Sequence, residues 1–293
     1  MYKVDNAVIM AAGTASRFAP LSYERPKALI EVKGEVLIER QIKQLLEAGI
    51  KDVYVVVGYK KECFLYLKDK YGVKILDNDD YLTRNNNGSI YAAKDVIKNT
   101  YICSSDNYFF QNPFETEVEE AYYAGVYSDG HTNEWCMAES EEGYINDVTI
   151  GGSDAWFMLG HCFWDEKFSE KFLEILDIIY DEPETVNLLW ESIYMKNLDT
   201  LKMKIRKYPA DYIFEFDTLD ELREFDDTYV YDTRSEILKN VAGEIGCQEK
   251  DITEVIAYKS EDNSASGFSF KAQGQLLTYD YKKGLMGRER LMQ

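Results

Sequence analysis

The chain has 293 residues, 45% of them hydrophobic and 29% charged, with a formal net charge of −20 at pH 7. So acidic a chain does not have the nucleic-acid backbone as its main partner. No apolar run reaches the length of a membrane helix, and the N-terminus enters a strand rather than a signal sequence. Five cysteines without a C-x-x-C pair read as reduced thiols, which sets the expected compartment as the cytoplasm. Two histidines leave little room for histidine catalysis.

Residues 8–11 are a short apolar run, expected to be a central parallel strand. The run passes into Ala11, Ala12, Gly13, Thr14, Ala15 and Ser16, a loop with almost no side-chain bulk. Such a loop lets backbone N–H groups approach a phosphate, and Arg17 and Lys27 can supply charge to the same phosphates. The string is neither a Walker loop nor a dinucleotide G-x-G-x-x-G. Residues 28–34 read as a hairpin edge. Residues 37–48 place Leu37, Ile38, Ile42, Leu45 and Leu46 on one helical face, with Gly49 ending the helix. A second buried strand is expected over 52–58, a helix over 60–71 stopped by Gly72, and a third strand over 73–76. This alternation predicts a doubly wound, mostly parallel sheet of α/β class. Ligands of such sheets bind beyond the carboxyl ends of the strands.

Asn85, Asn86, Asn87 and Gly88 form a polar loop. Ser89 is placed to cap a helix running to about residue 98, and the amides could read a base edge. Residues 101–105 form an apolar strand that delivers Asp106 at its carboxyl end, a position suited to Mg²⁺. Residues 121–165 read as four β segments (121–127, 133–138, 144–150 and 156–164) that extend the sheet with mixed strands. Helices are expected over 167–180 and 186–195. Glu215 and Asp217 follow another apolar strand. Thr218 and Glu221 have capping-box spacing, so Asp217 is held just before a helix, either as a metal ligand, the preferred reading, or as a partner of the helix dipole. Beyond residue 228 we expect a helix over 232–243, strands over 252–258, 266–272 and 275–281 with a hairpin at Gln273-Gly274, and a solvated basic tail over 282–290. Residues 229–293 read as a small α+β appendage that serves as an add-on or a homodimer contact.

These residues carry a resemblance. AAGTASRFAPLS (11–22) followed by PKAL (26–29) resembles the signature A-A-G-x-G-[ST]-R-[FL]-x-P-L-[ST], then P-K-[AP]-L, of nucleotidyltransferases that activate sugars and alcohol phosphates. Ala15 stands where the signature has its second glycine. With LIERQI (37–42), VGY (57–59), Asn85-Asn86, SIY (89–91), DNY (106–108), TNEW (132–135), LWE (189–191) and EFD (215–217) in order, residues 4–228 are similar to bacterial Lic-type CTP:phosphocholine cytidylyltransferases. The resemblance implies a nucleotidyltransferase of Rossmann-like fold, with CTP as donor, Mg²⁺ as cofactor and phosphocholine as acceptor. It implies that Arg17 and Lys27 hold the triphosphate, that Asp106 and Asp217 hold Mg²⁺, and that the Ala11–Ala15 loop, Gly58, Asn86 and Ser89 hold the nucleotide. Trp135, Trp190 and Tyr194 would form an aromatic cage for a quaternary ammonium, with Glu134 or Glu215 as counter-charge. Phosphoethanolamine or 2-aminoethylphosphonate would use the same acids with less aromatic enclosure. A sugar phosphate is a further alternative, and so is a non-catalytic nucleotide-binding scaffold on the same fold. The C-terminal residues vaguely resemble the opening of a choline-kinase-like domain.

Overall fold

Strands that must be buried on both faces set the centre of the molecule. In this computed structural model, which describes residues 1–259 and 265–289, β1 (Asn6–Ala11), β2 (Val53–Val57), β3 (Lys74–Asp77) and β4 (Thr100–Ser104) pair in parallel in the order β4-β1-β2-β3. Val8, Ile9, Val55, Val56 and Val57 are completely buried. Near-continuous apolar runs are what a two-sided parallel strand needs, and each such side chain contributes roughly 1.5–3 kcal/mol. The connecting helices α1 (Leu37–Glu47), α2 (Tyr66–Tyr71) and α3 (Asn87–Ala92) follow the predicted alternation. Two of them are shorter than predicted. A 3₁₀ turn over Lys61–Phe64 precedes α2, and another over Lys94–Val96 follows α3. Ser89 is not the cap of α3 but lies inside its first turn, with Asn86 at the N-cap position.

The four β segments predicted over 121–165 merge into two long strands. β6 (Tyr122–Glu139) and β7 (Ile145–Trp164) pair antiparallel through repeated bulges, after the two-residue β5 (Tyr108–Phe109). Gly130, Gly151 and Gly160 take positive φ at these irregularities, so the strands bend and continue where breaks were expected. β8 (Lys204–Tyr208) pairs parallel to β6, and β7 pairs antiparallel to β4. The sheet thus has seven strands, ordered β8-β6-β7-β4-β1-β2-β3. Helix α4 (Glu166–Ile179) matches its predicted range. Helix α5 (Trp190–Met195) begins four residues later than predicted, because 186–189 are irregular. β9 (Ile213–Phe214) pairs with β5.

The chain forms two compact units, and neither is continuous in sequence. The first comprises Met1–Gly13 and Leu37–Glu215; the second comprises Thr14–Val36 and Phe216–Gln293. Within the second, α6 (Leu219–Phe225) starts with the predicted capping box of Thr218 and Glu221. α7 (Glu236–Ile245) ends at Gly246 in the left-handed region. β10 (Thr253–Lys259), β11 (Ala265–Ala272), β12 (Gln275–Asp280) and β13 (Gly284–Glu289) make an antiparallel sheet in sequence order. Gln273 and Gly274, both at positive φ, close the β11–β12 hairpin. Residues 284–289, expected as a solvated tail, form the fourth strand, paired to β12. Arg290, also assigned to that tail, lies outside the described residues. Residues 14–36 are bound into this unit by specific contacts. Tyr23 stacks on Tyr281 at 3.6 Å, Tyr229 donates its hydroxyl to Glu31 O (2.6 Å), Lys33 N donates to Asp226 (2.7 Å), and Ile237 N donates to Glu24 (3.2 Å). No helix among the described residues is long and apolar enough to cross a membrane.

Candidate active site

Parallel register brings the strand exits of the first unit to one edge. Ala11 pairs with Val57, Val57 with Asp77, and Met10 with Ser104. The residues that follow, Ala12-Gly13, Gly58, Asn78 and Ser105-Asp106, therefore leave the sheet together. Backbone bonds tie them: Tyr59 N donates to Ala12 O (3.0 Å), Asn78 N to Val57 O (2.8 Å) and Ser105 N to Met10 O (3.2 Å). Ala11 and Ala12 are buried, and a Cβ on Gly13 would meet nothing within 4 Å. Beyond β2 and β3 lies a cavity of about 390 Å³, lined by Gly58, Tyr59, Lys60, Asn78 and Tyr81 among others. Its volume falls in the range of small-ligand pockets. A Cβ on Gly58 would come within 2.6 Å of the Tyr81 ring. Asn78 donates to Ser89 Oγ (3.2 Å), so Ser89 supports the cavity wall from behind.

The asparagine loop turns elsewhere. Asn85 N donates to Val186 O (3.0 Å), and Asn87 Nδ2 donates to Thr185 O (3.0 Å) and to Leu188 O. Asn86 Nδ2 donates to Glu191 (3.0 Å), while its Oδ1 accepts from Trp190 N (2.7 Å). All three latch the 185–191 segment. Glu191, which the sequence reading left without a role, is a buried carboxylate that also receives the Tyr123 hydroxyl at 3.4 Å. Burial pushes its pKa up to about 7, and the bond from Asn86 only partly offsets this. One signal was available: Glu191 is an acid set among the apolar Trp190, Ile193 and Tyr194 in one short helix.

The proposed acceptor cage is corrected by burial. Trp190 is 1% exposed and Tyr194 is not exposed at all. Trp190 packs against Tyr123, Trp164 and Phe172, and Tyr194 against Phe168, inside the main core. Neither presents a ring face to a ligand. Trp135 is half-buried, and Glu134 and Glu215 are exposed. Asn107 Nδ2 donates to Glu215 at 3.1 Å. Asp106, half-buried, occupies the turn directly before Asn107.

In the second unit the cations and the second acid meet. Arg17 Nη1 lies 2.6 Å from Asp217 Oδ2, and Lys27 Nζ lies 3.6 Å from Oδ1. Arg17 is largely exposed at 76%, whereas Lys27 is 6% exposed, with its Nζ over the Phe18 ring at 5.6 Å. Asp217 N and Thr218 N both donate to Glu221, which fixes Asp217 one residue before the α6 cap. Ala15 sits at φ 46°, ψ 46°, the left-handed conformation that the signature glycine adopts without cost. Among the described residues no three His, Cys, Asp or Glu side chains form a metal-binding group. Asp106 belongs to the first unit and Asp217 to the second; each offers the carboxylate oxygens that Mg²⁺ accepts.

Residues 7–121 match the MobA-like NTP transferase domain. The choline-phosphate cytidylyltransferase of Streptococcus pneumoniae is 35% identical over 234 residues, covering 80% of this chain and 98% of that protein. The chain belongs to the cytidylyltransferase family of nucleotidyltransferases. Another member of the family, the 2-aminoethylphosphonate cytidylyltransferase of Lancefieldella rimae, is 36% identical over 78% of this chain and 95% of its own. The solved structure of the S. pneumoniae CTP:phosphocholine cytidylyltransferase LicC superposes with a TM-score of 0.74 at 35% identity, over 78% of this chain and 99% of LicC. An inositol-1-phosphate CTP transferase from T. maritima, at 14% identity and a TM-score of 0.57, shares the fold. The expected nucleotidyltransferase activity and fold are thus those of the family.

Proposed function

We propose that this enzyme transfers CMP from CTP to phosphocholine, giving CDP-choline and pyrophosphate. The likeness to the S. pneumoniae enzyme over nearly that protein's whole length carries the reading. An oxygen of the acceptor phosphate forms the new bond to the α-phosphorus of CTP, the bond from that phosphorus to the β-phosphate oxygen breaks, and pyrophosphate leaves with the electron pair. The attacking oxygen is already ionised at neutral pH, so no general base is required, in keeping with a chain of two histidines. Catalysis then rests on positioning and charge.

The Ala11–Ala15 loop offers backbone N–H groups to the phosphates. Lys27 and Arg17 neutralise the triphosphate, exchanging their contacts with Asp217 for contacts with phosphate. The cavity at Gly58 takes the nucleoside, with Ser89 bracing its wall through Asn78, while Asn86 holds the neighbouring 185–191 segment. Asp106 and Asp217 are the carboxylates assigned to Mg²⁺, which when bound neutralises phosphate charge. Trp135 offers the ring face, and Glu134 and Glu215 the counter-charge, for the acceptor cation. The burial of Trp190 and Tyr194 favours a second reading within the same reaction, a primary-amine acceptor such as 2-aminoethylphosphonate, for which carboxylates matter more than aromatic enclosure.

Pyrophosphate release with CTP and Mg²⁺ across phosphocholine, phosphoethanolamine, 2-aminoethylphosphonate and glucose-1-phosphate separates these readings. Preference for phosphocholine is the expected result. Preference for a primary amine selects the second reading, and CTP binding without release from any acceptor overturns both.

A further inference from the structure

Helix α1 buries polar side chains where its apolar repeat would accept a hydrophobe. Leu37, Ile38, Ile42 and Leu45 line its inner face, yet Gln41 is completely buried beside them. Gln41 Nε2 donates to Ser104 O and to Asn107 O, each at 2.8 Å. These are the first and last carbonyls of the turn that carries Asp106, itself closed by Asn107 N donating to Ser104 O at 3.4 Å. One amide therefore spends both hydrogens on the carbonyls that bracket Asp106. The other polar groups of α1 reach further along: Arg40 donates to Phe109 O and Phe110 O (2.9 Å each), and Gln44 to Phe109 O (3.1 Å). From the same turn, Asn107 Nδ2 reaches Glu215 (3.1 Å).

We propose that Gln41 is a positioning residue for the transfer reaction, clamping the Ser104–Asn107 turn so that Asp106 meets the metal and Asn107 holds Glu215 for the acceptor. This rests on the assignment of Asp106 made above. A hydrophobe of equal length would pack as well but would leave the Asn107 carbonyl without this donor and the Ser104 carbonyl with only the 3.4 Å bond of the turn, and a turn loosened in that way re-aims its side chains. Displacing a group that orients a metal ligand typically weakens metal binding 10- to 100-fold.

The test is Gln41→Met, of similar length and without a donor. Mn²⁺ binding is followed by the paramagnetic resonance of the free ion, in the presence of a CTP analogue with a methylene α,β bridge. The expected result is a folded variant with Mn²⁺ affinity about 10-fold weaker, a lower kcat and a raised acceptor KM. Gln44→Met, which loses a bond outside the turn, keeps the wild-type Mn²⁺ affinity. If Gln41→Met does not stay soluble, Gln41→Asn, one methylene too short to span both carbonyls, is read in the same way. Wild-type Mn²⁺ affinity and kcat in the soluble Gln41 variant overturn the role of Gln41. Asp106→Asn judges the underlying assignment separately: retained Mn²⁺ affinity there removes Asp106 as a metal ligand, whatever Gln41→Met shows.

Discussion

Ala15 holds a left-handed backbone at the position where related signatures carry glycine. That conformation costs an alanine about 1–2 kcal/mol, and glycine returns about 0.5–1 kcal/mol of that as chain entropy. Ala15→Gly should therefore raise stability by roughly 0.5–1 kcal/mol, read as a shift of the urea midpoint; an unchanged midpoint would mean the strain is absent. Glu191 makes a second residue-level prediction. Its native pKa of about 7 lies above the usual 4.5 because burial favours the neutral acid. The native state thus binds more protons than the unfolded chain, and this contribution is full below about pH 4.5 and lost as pH rises toward 7, roughly 3 kcal/mol in all. His161 works the other way. Burial lowers its pKa to about 3, so the unfolded chain takes up a proton below about 6.5 that the native ring refuses, and stability rises with pH over that window. The difference between wild type and Glu191→Gln isolates Glu191: the stability lead of wild type over the variant should shrink between pH 5 and 7.5. An identical pH slope in the two proteins would refute the buried-acid reading.

At the scale of elements, what could be read in the sequence was what depends on local order. The alternation of apolar strands and helices, the glycine stops, the Gln273-Gly274 hairpin and the Thr218–Glu221 capping box all appear where their residues predicted them. The long β6–β7 hairpin did not, because glycines that normally end strands act there as bulges within a continuous ladder. Nor did the role of α5: its sequence shows which residues lie on one face but not which side the sheet covers, so Trp190 looked like a cage wall and is a core side chain. Gln41 was equally hidden, since its partners are backbone carbonyls far away in sequence. Two substitutions separate core from site. Trp190→Ala should cost about 3–5 kcal/mol by denaturant titration, whereas Trp135→Ala, at a half-buried position on the core's edge, should cost clearly less and raise the acceptor KM. The opposite pattern would restore Trp190 to the acceptor site. The loop after β2 offers a test of the nucleoside cavity. Gly58→Ala sets a methyl 2.6 Å from Cβ and the ring of Tyr81, which forces Tyr81 to move, so KM for CTP should rise about 10-fold or more beside an overpacking cost of about 1–3 kcal/mol in stability. An unaltered KM would place the nucleoside elsewhere.

At the scale of the whole molecule, the C-terminal residues are structural partners of the signature segment within the second unit. Tyr281, Tyr229, Asp226 and the amide of Ile237 all contact residues 23–33. A chain ending at residue 228 lacks three of these four contacts. It should bind CTP more weakly and expose apolar surface, seen as a raised KM and increased dye binding; wild-type kinetics in the shortened chain would show that the segment holds its shape unaided. The interrupted layout also has a consequence during biosynthesis. Residues 14–36 emerge from the ribosome early, but the segment that completes their unit begins only at Phe216. At about 5–20 residues per second, the intervening stretch takes on the order of 10–40 s to translate. For that interval residues 14–36 are without the segment that completes their compact unit.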